Sequence, residues 1–207
     1  MPVRTSPAFI NELMKEFGIQ FKKKFGQNFL IDSNITEKIV ESMDISEENQ
    51  VLEIGPGLGS LTEVLLRKTK NVSVVEIDRA LASILERDFE GLHVINEDIL
   101  KVEPERFPAG IKICGNLPYY ITSAIIMHFL ESDLKFHSLT LMMQREVAKR
   151  IVSKVGSKEY GVLTVIMSML SEVDYLFDVK ATCFMPKPNV DSAIIRVRPK
   201  DVELPKE

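Results

Sequence analysis

Four residues of this chain have the types and settings to do chemistry: Glu53, Glu76, Asp98 and Asn116. Each lies in or just after one of four short apolar runs, at 51–54, 72–77, 92–95 and 111–115, that read as strands. Glu76 comes about 20 residues after the first glycine of a glycine-rich turn, the offset at which an acid holds a ribose in open α/β sheets. A carboxylate has two acceptor oxygens and a ribose diol two donors, so the two match. Asp98 closes the third run, where a carboxylate can accept a hydrogen bond from an adenine amino group. Asn116 opens Asn-Leu-Pro-Tyr-Tyr. Its side-chain carbonyl, a neighbouring backbone carbonyl and the flat face of Tyr119 suit a planar base bearing an exocyclic amine. The plainer alternative is that Asn116 and Pro118 only shape a strand-to-helix turn while the tyrosines pack.

The glycine turn is Glu53-Ile-Gly-Pro-Gly-Leu-Gly59. A dinucleotide fingerprint would want Gly or Ala at position 60, where this chain has Ser60. Acid-x-Gly-x-Gly-x-Gly is instead the pattern of enzymes that use S-adenosylmethionine. That cofactor carries a sulfonium and an ammonium, which the charge of Glu53 suits better than it would a pyrophosphate. A purely structural turn is the competing reading of this stretch by itself. The recurrence of an acid after three successive strand-like runs favours a ligand site.

These residues need a parallel sheet to bring them to one edge. Seven strand-like runs, the last three near 137–143, 171–178 and 191–198, alternate with helical spacing at 34–43, 60–69, 79–89, 122–130, 144–152 and 160–170. That pattern predicts an α/β fold: a seven-stranded, mostly parallel sheet with helices on both faces. Asp32 or Ser33 is placed to cap the helix from 34, and Asp78 the helix from 79. An amphipathic helix at 7–17 precedes a basic, aromatic segment at 21–32 that reads as a functional loop. Phe184, between two strands and beside Pro186 and Pro188, is either a stacking surface or a hydrophobic plug. Met167 and Met169 are expected in the core. The expected division is a packed N-terminal helix and loop (1–32), a catalytic unit (33–198) and a polar tail (199–207).

The chain has 207 residues, 45% of them hydrophobic, which fits one soluble globular domain. Its net charge of -4 excludes a uniformly basic nucleic-acid binder. Positive charge is nevertheless local, at Lys22–Lys24 and at Arg145, Lys149, Arg150, Lys154 and Lys158, which could face phosphates or be solvated helix surface. Cys114 and Cys183 make neither a disulfide framework nor a metal site, and His93 has no ligand partner nearby, so no metal is expected. The N-terminus lacks a secretory apolar core and no run approaches a membrane span, so a cytoplasmic monomer is expected.

In chain order, FGQNFLID (25–32), EIGPGLG (53–59), VEID (75–78), ED (97–98), GNLPYYI (115–121) and FMPKPNVDSAI (184–194) resemble the KsgA/Dim family of ribosomal RNA adenine dimethyltransferases. The resemblance covers almost the whole chain. It implies a Rossmann-like methyltransferase fold and S-adenosylmethionine as methyl donor, with no metal. It implies dimethylation of the exocyclic amines of two adjacent adenosines near the 3′ end of small-subunit rRNA, within a pre-30S particle. Carried onto this sequence, cofactor contacts fall on Asn28, Leu30, Gly55, Glu76, Asp98 and Asn116. The target-base pocket falls on Asn116, Leu117, Pro118, Tyr119 and Phe184. Methylases of large-subunit rRNA share most of these motifs, but Gly26 and Leu117 favour the small-subunit branch. A non-catalytic RNA-binding assembly module is a third reading, against which Asn116 and Tyr119 speak. The family usually continues into a small helical C-terminal domain, and this chain stops just after the last strand.

Overall fold

The computed structural model describes residues 4–18, 28–117 and 120–201. The seven expected strands form one sheet, and two further two-residue strands, Phe29–Leu30 (β1) and Phe184–Met185 (β8), pair with each other. In chain order the sheet strands are β2 (Val51–Ile54), β3 (Val72–Val75), β4 (His93–Ile95), β5 (Lys112–Asn116), β6 (Ser138–Gln144), β7 (Ser171–Val179) and β9 (Ser192–Pro199). Their spatial order is β4-β3-β2-β5-β6-β9-β7. The first five positions are parallel, and β9 enters antiparallel between β6 and β7. The winding therefore reverses between β2 and β5. In open α/β sheets that switch point is where a crevice opens at the strands' carboxyl ends.

Alternation along each strand divides the side chains between two faces. One face carries Leu52, Ile54, Ile113, Leu139 and Leu141 under α5 (Thr122–Leu130), α6 (Arg145–Ile151) and α7 (Val162–Leu170). The other carries Val51, Val74, Cys114 and Met142 under α2 (Ser33–Ser42) and α3 (Ser60–Lys68). A third cluster joins Ile10, Leu13 and Met14 of α1 (Pro7–Glu16) to Leu58 and to Leu81 and Ile84 of α4 (Arg79–Asp88).

The capping acids act as their positions suggest. Asp32 accepts from the Asn34 N–H at 3.0 Å, and Asp78 from the Ala80 N–H at 3.1 Å. One expectation is corrected. Met167 is fully buried, but Met169 is 62% exposed, because α7 turns that face to solvent. Among the described residues no helix is long and apolar enough to cross a membrane.

Candidate active site

Each acid reaches the crevice by the element that precedes it. Glu53 sits mid-strand on β2, Glu76 directly after β3, Asp98 just beyond β4, and Asn116 is the last residue of β5. All four line one cleft, together with Asn28, Leu30, Gly55 and Leu117. Two of the expected base-pocket residues, Pro118 and Tyr119, lie outside the described residues, as do Lys22–Lys24. Phe184 is not on the cleft wall. It is 3% exposed, sits opposite Leu30 in the β1–β8 pair and packs in the core against α2 and α3. Tyr120 lines the cleft and is 67% exposed, so it does not pack in the core.

The glycine turn is built for close approach. Gly55, Gly57 and Gly59 have φ of 65°, 61° and 81°, a region that side chains disfavour. At Gly57 a Cβ would lie 3.0 Å from the Phe29 ring. The Gly57 N–H donates to Glu76 Oε2 at 3.1 Å, and the Asp78 N–H donates to Oε1 at 2.9 Å. Each carboxylate oxygen keeps a lone pair for a further donor, so the Glu76 carboxylate is oriented without being used up. Asn96 Nδ2 steadies the same residue by donating to the Glu76 carbonyl at 2.7 Å.

Two of these acids are buried with no cationic side chain in hydrogen-bonding contact among the described residues. Glu53, 2% exposed, accepts from Thr62 Oγ1 at 2.6 Å. Burial, against the lowering effect of the Thr62 hydrogen bond and with a smaller push from nearby Glu76, holds its carboxyl up at about 8. Burial also pushes Glu76 up to about 7, against the hydrogen bonds from the Asp78 and Gly57 backbone. A buried anion without a positive partner is costly, and a cationic ligand would relieve that cost. Thr140 Oγ1, on the inner wall, is buried and has no hydrogen-bond partner among the described residues. The cleft thus combines acceptor carboxylates, an orphan hydroxyl and a turn open to close contact. That set of acceptors fits a nucleoside carrying positive charge.

Asn116 is held in one orientation. Its Nδ2 donates to the Asn28 carbonyl at 2.9 Å, which turns Oδ1 away from Asn28 as an acceptor. Thr62, Asn96 and Thr140 are parts of the site that the sequence reading missed. Nothing in their spacing marks them, since their roles depend on which neighbour the fold supplies. Among the described residues no group of three or more His, Cys, Asp or Glu could hold a metal.

Comparison with known proteins identifies relatives of this chain. Residues 18–207 match the family model described as ribosomal RNA adenine dimethylase. Ribosomal RNA small subunit methyltransferase A of Ligilactobacillus salivarius is 42% identical over 217 residues, covering 100% of this chain and 73% of that protein. A crystal structure of a dimethyladenosine transferase from Plasmodium falciparum superposes with a TM-score of 0.76 at 32% identity, covering 84% of this chain and 64% of that one. The 23S rRNA methyltransferase ErmE gives a TM-score of 0.76 at 34% identity, covering 87% of this chain and 73% of that one. The chain has the Rossmann-like methyltransferase fold, belongs to the ribosomal RNA adenine dimethylase family, and is by enzyme class an rRNA adenine methyltransferase.

Proposed function

We propose that this protein transfers methyl groups from S-adenosylmethionine to the exocyclic amines of two adjacent adenosines near the 3′ end of small-subunit rRNA, acting on a pre-30S particle in the cytoplasm. Asn28, Leu30, Gly55, Glu76, Asp98 and Asn116 hold the cofactor. Glu76 takes the ribose hydroxyls on its remaining lone pairs, and Asp98 takes the adenine amine. Bound S-adenosylmethionine supplies an electrophilic methyl group on a sulfonium.

The rest is done by the turn after β5. An adenine amine is a weak nucleophile because its lone pair is delocalised into the ring. Asn116 Oδ1 and the Leu117 carbonyl accept hydrogen bonds from the two amine N–H groups and draw the lone pair out of conjugation. Pro118 stiffens the turn, and Tyr119 stacks on the splayed base, a contact worth about 1–3 kcal/mol. Positioning and electrostatics then account for most of the rate. As the N–CH3 bond forms the S–CH3 bond breaks, the neutral thioether leaves and the nitrogen gives a proton to solvent; its lone pair is then restored, so a second methyl from a fresh cofactor can follow at the same site.

The observation that carries this reading is the Asn116–Asn28 hydrogen bond. It leaves an acceptor oxygen at the cleft rim with only one way to face. Asn116→Ala is expected to keep its circular dichroism spectrum while methyl incorporation into immature 30S particles falls by about 10²-fold or more. Normal turnover by that variant would remove Asn116 from the chemistry. The likeness to the 23S rRNA methyltransferase ErmE favours one second reading, a large-subunit substrate. Mass spectrometry of 16S and 23S rRNA after treatment separates the two.

A further inference from the structure

The glycine turn is held from behind by a segment that precedes the residues matched by the family model. The match begins at residue 18, whereas Arg4 and α1 come earlier. The Arg4 side chain is 9% exposed and does not line the cleft. Its Nη1 donates to the Leu58 carbonyl at 2.7 Å, between Gly57 and Gly59. Its Nη2 donates to the Asp88 carboxylate at 2.7 Å, and its guanidinium lies 4.2 Å from the centre of the Phe89 ring. The Phe89 ring in turn presses on the turn itself, since a Cβ at Gly59 would fall 2.5 Å from it.

One buried guanidinium therefore joins the turn, the end of α4 and the aromatic ring that backs the third glycine. The far side of the turn is tied by the Gly57 N–H to Glu76. The Leu58 carbonyl is thus fixed from one side and the Gly57 amide from the other. This is a clamp on the backbone that a cofactor must approach. Arginine suits the task because its planar fork offers several donors in fixed directions while its face stacks on an aromatic ring.

We infer that Arg4 is a positioning residue for the cofactor turn: it sets the conformation of residues 57–59, and so the affinity for the methyl donor, without touching that donor. The link to the donor rests on the cofactor reading given above; the clamp on the turn does not.

The test uses the full chain and Arg4→Met, which keeps an apolar stem and removes the polar contacts. In the free protein, amide hydrogen exchange at Gly57, Leu58 and Gly59 should speed up, while amides of β5 and β6 stay protected. Loss of a charge-assisted hydrogen bond of this kind should weaken S-adenosylmethionine binding in calorimetry by about tenfold. KM for the cofactor should rise in parallel, with kcat at saturating cofactor and KM for RNA unchanged. Arg4→Lys should recover part of the affinity. Glu37→Gln is the control, because it loosens an exposed 2.7 Å ion pair, between α2 and Arg67 of α3, that shares no partner with Arg4 or Asp88.

If Arg4→Met lowers only the melting temperature, with turn exchange and cofactor affinity as in the parent, the inference is overturned. Should that variant fail to fold, Arg4→Lys carries the test, and turn exchange equal to the parent's overturns it. If the parent protein binds no S-adenosylmethionine while turn exchange still responds to Arg4, the clamp stands and the cofactor reading falls.

Discussion

Glu53 shows how a single residue can link cofactor binding to pH. Its carboxyl is raised to about 8, mainly by burial, so the folded state keeps a proton that the unfolded chain gives up near 4.5. A group raised in this way binds more protons folded than unfolded across that window. The free protein should therefore lose stability as pH rises from 4.5 to about 8, and Glu53→Gln should flatten that slope in thermal melts. A bound cation reverses the preference and favours the carboxylate. Cofactor binding near neutral pH should then release protons, so its calorimetric enthalpy should differ between phosphate and Tris buffers. A buffer-independent enthalpy would show that neither Glu53 nor Glu76 changes protonation on binding.

At the scale of elements, the cleft depends on how closely β2 and β5 approach. Gly115 lies beside Ile54 in that pairing, and a Cβ there would fall 2.6 Å from the Ile54 carbonyl oxygen and 2.9 Å from the Leu117 side chain. The first obstacle is backbone in the middle of the sheet and cannot turn aside. Gly115→Ala should cost about 1–3 kcal/mol of stability by overpacking, read from urea denaturation. It should also impair the site, because the next residue is Asn116. This requirement was not legible beforehand, since Gly115 reads as an ordinary residue at a strand end. The paired strands β1 and β8 were hidden for a related reason. Two residues are too short to show a period, and their partner lies far along the chain.

For the whole molecule, the distribution of charge decides how RNA is met. Lys149, Arg150, Lys154 and Lys158 are exposed on α6 and the segment after it, and no ion pair ties them up among the described residues. Arg145, of the same sequence cluster, instead pairs with Asp191 at 3.3 Å. If these four cations meet phosphates, RNA affinity should fall steeply with added salt. Replacing one of them with Ala should reduce the log–log salt slope by about 1, the release of one counterion. An unchanged slope in a filter-binding titration would make them plain solvated surface.

The sequence by itself determined the order of the sheet strands and helices, the glycine turn and the strand settings of the four chemical residues, because strand runs, turns and capping acids are local patterns. It also carried the family, through motifs spread along nearly the whole chain. Only the tertiary structure decided which groups share the cleft and which are buried behind it. It placed Phe184 in the core, set Asn28 against Asn116, put Thr62 on Glu53 and brought Arg4 to the back of the turn. Those outcomes depend on neighbours far apart in the chain, and burial, not residue type, sets what Glu53 and Glu76 can do.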